Sequence, residues 1–95
     1  MKNKAGIAWY KEEDYPKLVS LFLDGNKFPK SHDEWLDGAE ARIRVFIERG
    51  DQVVRIAVEP AAFSAWCMSK GIRPDAAARR RYIRHGALIG RPPGD

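Results

Sequence analysis

The chain has 95 residues, a formal net charge of +4, 44% apolar residues and 11% aromatic ones. That length fits one domain, and the supply of large apolar side chains excludes disorder over most of it. A single cysteine excludes an internal disulfide framework, and apolar stretches of only a few residues exclude a membrane-spanning helix.

Met1 to Lys4 and the short run Ala5 to Tyr10 do not amount to a signal-peptide apolar region, so the expected location is cytoplasmic. Gly6 to Tyr10 is short, apolar and aromatic, and reads as a strand. Asp14 suits a helix N-cap and Pro16 the first turn. Tyr15, Leu18, Val19 and Phe22 share one helical face. The first helix is therefore placed at 15–24, with Gly25 ending it as a residue free to take positive φ.

After a connector at 26–30, Ser31 and Glu34 form a capping box. The second helix, 32–49, carries an apolar stripe of Leu36, Ala39, Ile43, Phe46 and Ile47, with Trp35 at its border. Glu40, Arg44 and Glu48 stand four apart and are spaced to pair in a ladder. Val53 to Glu59 alternates as a strand with Val54, Ile56 and Val58 on its apolar face. Pro60 opens a third helix that buries Phe63, Trp66 and Cys67 and closes at Gly71. Pro74 opens a fourth, with Ala78, Tyr82 and Ile83 inward and Gly86 as its stop. The tail, 90–95, has nothing to bury and is expected to be disordered.

The expected fold is a small helix-rich α+β domain over 1–89, in β-α-α-β-α-α order with a two-stranded sheet. If every element reverses the chain, the second strand runs antiparallel to the first. Two strands leave two open edges. Helices then cover the sheet, or an edge pairs with a second copy, and a homodimer is expected on that ground. Trp35, Ile43, Phe46, Ile56, Phe63 and Trp66 should form the core, with Phe46→Ala costing about 3–5 kcal/mol.

Charge is unevenly placed. Residues 1–50 hold nine basic and nine acidic side chains, whereas residues 51–95 hold eight basic and four acidic. Lys70, Arg73, Arg80, Arg81 and Arg84 are the candidate contacts for an anion or a nucleic acid. On a helical wheel Arg80, Arg81 and Arg84 share the outer face of the helix around 74–85. The helix-turn-helix spacing there is incomplete, since Ala76-Ala77-Ala78 supplies no branched core residue. No Asn or Gln stands on that helix to read adenine, so duplex binding should be weak and non-specific. Arg79 falls in the apolar sector and is expected to pack its stem and pair with a carboxylate such as Glu59.

Catalytic chemistry has no visible motif. Cys67 reads as a buried apolar thiol. His32 and His85 stand at no metal-ligand spacing from it, and no metal or cofactor is expected. Glu12-Glu13-Asp14, and likewise Asp33, Glu34 and Asp37, are explained by helix dipoles. Gly-rich phosphate loops and hydrolase elbows are missing from the sequence.

Ile7-Ala8-Trp9-Tyr10, Asp14-Tyr15-Pro16, Glu34-Trp35-Leu36, Phe63 with Trp66-Cys67, Gly71, and Asp75 with Ala78-Arg79 together resemble a family of small uncharacterised bacterial proteins. The resemblance implies a small bacterial globular protein. It carries no activity, cofactor or site residue with it. The functional expectation is a non-enzymatic binding or protein-interaction module. Nucleic-acid binding through the basic fourth helix is the alternative, and an enzyme ranks third.

Overall fold

Parallel strands need a long crossover between them, and this chain supplies one. In the computed structural model, which describes residues 3–89, strand β1 (Lys4–Trp9) and strand β2 (Gln52–Ala57) form a two-stranded parallel sheet. Lys4 pairs with Gln52 and Trp9 with Ala57, in unbroken register. Between the strands lie α1 (Tyr15–Leu21) and α2 (His32–Glu48). After β2 come α3 (Pro60–Lys70) and α4 (Ala76–Ile89). Single 3-10 turns at Glu12–Asp14 and Gly25–Lys27 flank α1. The α+β class and the element order match the sequence reading. The 90–95 segment lies outside the described residues.

Strand direction departs from the expectation. Counting one reversal per helix treats α1 as a full traverse. With seven residues α1 is about 10 Å long, whereas the 17 residues of α2 span about 25 Å. Only α2 matches a six-residue strand, which covers about 20 Å. The connection thus makes one return stroke, and β2 runs beside β1 in the same direction.

Several element ends also move. α1 stops at Leu21, with Phe22 already extended. Gly25 serves there by close approach, not by positive φ, because a Cβ on it would lie 1.8 Å from the Val19 carbonyl oxygen. Asp14 caps nothing with its side chain, since the 3-10 turn runs straight into α1. Ser31 does cap α2: its Oγ accepts from Glu34 N–H at 3.2 Å. The fourth helix starts at Ala76 and not at Pro74, with Asp75 Oδ1 accepting from Ala78 N–H at 2.9 Å. It runs on through Gly86, which is buried inside it. The Glu40, Arg44 and Glu48 residues are all exposed and make no ion pair among the described residues, as the entropy of ordering long solvated side chains dictates.

Helices cover both faces of the sheet, as parallel strands require. Gly6, Ala8, Val54 and Ile56 share one face, and Ile7, Trp9 and Arg55 the other. α4 lies on the first face. A Cβ on Gly6 would stand 2.8 Å from the Ala87 Cβ and 3.0 Å from Ile83 Cγ2, so only glycine admits the helix this closely. α2 lies on the second, where the Trp35 ring meets Trp9 edge-on at 5.4 Å.

The core is one cluster centred on Leu18, Ile56, Val58, Phe63 and Tyr82. Trp35, Ile43, Ile56 and Phe63 are buried as expected, while Phe46 and Trp66 are only half-buried. The α2 stripe is rotated toward Trp35, leaving Ile47 60% exposed. Trp35 is drawn inward by Tyr10, whose ring centre lies 4.8 Å away. Stability should follow this map. Phe63→Ala should cost about 3–5 kcal/mol, and Phe46→Ala about 1–2 kcal/mol because its side chain is already partly exposed. Urea unfolding of the two variants checks the ranking, and an equal cost would mean that the helix face is misplaced.

Candidate functional site

A two-stranded sheet has two free edges, and here one of them lies in a cleft. The hydrogen-bond phase defines which groups face it. Gln52 N–H donates to Asn3 O at 2.8 Å and Val58 N–H to Trp9 O at 3.0 Å. In a parallel ladder this phase turns the N–H and C=O of Ala5 and Ile7 toward β2. Those of Lys4, Gly6, Ala8 and Tyr10 turn the opposite way, and all four residues line a cleft of about 920 Å³ between α2 and α4. Its volume is that of a small-molecule or peptide site.

The two ends of the free edge differ. At Tyr10 the carbonyl accepts from His32 Nε2 at 2.7 Å, so the edge is closed there. Among the described residues nothing bonds the outward groups of Gly6 and Ala8. The ring faces of Phe28, Trp35 and Phe46 add an aromatic lining.

Charge in the cleft is one-sided. Lys4, Lys27, Arg42, Arg79, Arg80 and Arg84 line it, against Asp24 and Glu34. Arg79 and Asp24 neutralise each other: Nη1 donates to Oδ1 at 2.8 Å and Nη2 to Oδ2 at 2.7 Å. The Arg79 guanidinium also lies 4.5 Å from the Phe22 ring centre and 4.9 Å from that of Phe28. Five cations then face Glu34 alone, all of them exposed.

The Arg79 partner differs from the one expected. Glu59 instead sits 4.0 Å from Lys11 at the surface. The loop after α1 brings Asp24 under α4, across 55 residues of sequence, and no local pattern announces that contact. The arginine's hydrogen bonds hold the Asp24 carboxyl below its ordinary value, outweighing its partial burial. Burial draws the Arg79 guanidinium down, and the Asp24 hydrogen bonds, together with Tyr10 and the charges of Asp24 and Asp75, more than offset it.

The sequence-predicted residues separate. Arg80 and Arg84 enter the cleft, whereas Arg81 lies over the Trp66 ring at 5.8 Å and covers it. Lys70, the last residue of α3, and Arg73, on the passage to α4, are both exposed and stand outside the cleft. Lys4, Lys27 and Arg42 escaped notice because residues 1–50 balance as a whole, nine basic against nine acidic, and only the fold gathers these three beside α4. Cys67 is buried, and burial raises its thiol, with Asp75 adding to the effect, so it stays protonated and unreactive at neutral pH. Burial pushes the Tyr10 phenol up to about 12. His32, His85 and Cys67 are not brought together, and no metal-holding group of His, Cys, Asp or Glu occurs among the described residues. No described helix is long and apolar enough to cross a membrane. Compared with protein families, curated proteins and solved structures, the chain shows no match.

The Asp24–Arg79 pair sets an acid limit on stability. Asp24 has a depressed value in the folded state relative to its ordinary 3.8, so its contribution is complete above that value and is lost as pH falls through the folded one. Asp24→Asn should lower stability at pH 7 by about 2–4 kcal/mol, since it strands a largely buried guanidinium. It should also remove that part of the acid dependence. Urea midpoints from pH 7 to pH 2 test this, and parallel curves for the two proteins would contradict it.

Proposed function

We propose that the protein is a non-enzymatic binding module whose cleft takes an anionic ligand. The observation that carries this reading is the charge imbalance of the cleft, five cations that make no ion pair among the described residues against Glu34. Clustered like charges destabilise a surface unless a counter-charge arrives. Arg42 on α2 and Arg80 and Arg84 on α4 flank the same space, so a ligand between the helices meets cations on two sides. Cys, His and Ser are absent from the described lining, which leaves no thiol, imidazole or serine hydroxyl beside the ligand.

This deepens the interaction-module expectation and shifts its residues. The nucleic-acid alternative retains Arg80 and Arg84, which lie in the cleft, while Lys70 and Arg73 fall outside it and Arg81 shields Trp66. Self-association through the cleft is opposed by charge, because two copies would bring their cations together.

Fluorescence anisotropy with a labelled hexaglutamate peptide tests the reading. Binding should be measurable at 20 mM salt and weaken at 200 mM, as screening of exposed charge requires. The Arg42→Ala/Arg84→Ala double variant should bind at least tenfold more weakly, and Lys70→Ala/Arg73→Ala should match the wild type. Equal loss in both double variants would show that overall charge, and not the cleft, attracts the anion.

A further inference from the structure

We propose that the ligand is an extended acidic segment of a partner protein, which joins the sheet as a third strand along β1. This rests on the reading of the cleft as an anion site. The outward N–H and C=O of Gly6 and Ala8 are unbonded among the described residues, and those of Lys4 continue the same edge. Such groups recur at every second residue, about 7 Å apart, which is the repeat of a paired strand. A peptide backbone satisfies that repeat, and a phosphate backbone does not.

The walls agree with the edge. Side chains of a guest strand alternate between the two faces of the sheet. One set would face α2, where Arg42 stands, and the other α4, where Arg80 and Arg84 stand. Acidic residues on both faces of the guest therefore find cations, and apolar ones find Phe46 and Ile83. A nucleic acid strand carries its phosphates in a single row and would leave one wall unanswered. A second copy of this chain is disfavoured by charge: its β1 repeats Lys4, and the outer edge of its β2 carries Arg55. His32 marks one end of the guest, because its bond to the Tyr10 carbonyl blocks pairing beyond Ala8. The open edge from Lys4 to Ala8 accommodates about five guest residues, roughly 17 Å.

The test uses the full chain and a capped octapeptide in which pairs of glutamates alternate with pairs of valines. Its partner is the same peptide methylated on every backbone nitrogen, which keeps the charge and removes the donors. The plain peptide should bind at least tenfold more tightly than the methylated one. Amide exchange at Gly6 and Ala8, whose outward groups lack a partner among the described residues of the free chain, should slow at least tenfold, whereas Ala5 and Ile7, which already face β2, are protected before the peptide is added. Equal binding of both peptides with unchanged exchange at Gly6 and Ala8 would overturn strand addition and leave the anion cleft standing. Cleft-dependent binding of single-stranded oligothymidine in place of either peptide would overturn the peptide ligand. Failure of every anion to bind at 20 mM salt would overturn the cleft itself.

Discussion

The contact on which the rest depends is the forked pair between Arg79 and Asp24. Its two hydrogen bonds, 2.8 and 2.7 Å long, join α4 to the turn after α1. Side-chain exposures of 13% for Arg79 and 25% for Asp24 place it mostly out of water, where losing one partner costs far more than at the surface. Guanidinium geometry suits this position. The planar group binds a carboxylate along its edge and packs its faces against Phe22 and Phe28. Leu23 N–H, donating to Pro74 O at 3.1 Å, fastens the same turn to the entry of α4. By consuming Asp24, the pair also leaves Glu34 as the one remaining counter-charge to the other cations of the described lining.

The sheet by itself would be marginal, since two strands bury little and expose two edges. Its stability is tertiary. α4 approaches one face through Gly6, and α2 closes the other through Trp35 and Ile43. The two helices stand on opposite faces, so they cannot also cover the edge between them. The cleft is therefore a geometric remainder of covering a narrow sheet with two helices, and the phase of the ladder decides which backbone groups it contains. Tyr15 braces the far rim, its hydroxyl donating to Pro29 O at 2.6 Å.

Much of this architecture is legible in the sequence because it rests on short-range rules. Alternation at Val54, Ile56 and Val58 gives β2, and the Ser31 cap gives the start of α2. Tyr82 and Ala78 declare the inner face of α4. What escapes is non-local. Strand direction depends on how far each helix travels, and α1 proved too short to traverse the sheet. The α2 face is set by the aromatic cluster around Tyr10 and not by the helix's own hydrophobic stripe. Arg79 is legible as an anomaly, an arginine in an apolar sector, but its partner lies 55 residues away. Counting charge by segment directs attention to 51–95 and hides Lys4, Lys27 and Arg42, which belong to a half of the chain that is neutral in sum.

Incompleteness of the sheet and the charge of the cleft converge on one physical consequence. A guest strand would supply the partners that β1 lacks and the negative charge that the helix walls lack, so both terms act on the folded state alone. A ligand that binds only the folded chain stabilises it by about 2.7 kcal/mol at a hundred times its Kd. For a domain of this size that is a large fraction of the total, on the order of 5–15 kcal/mol. The cost is ordering an extended segment, which limits affinity and makes charge, with its dependence on salt, the lever that sets it. The five cations of the cleft therefore matter most for attracting and orienting an acidic segment, while the backbone edge between Lys4 and Ala8 determines that it must be extended to stay.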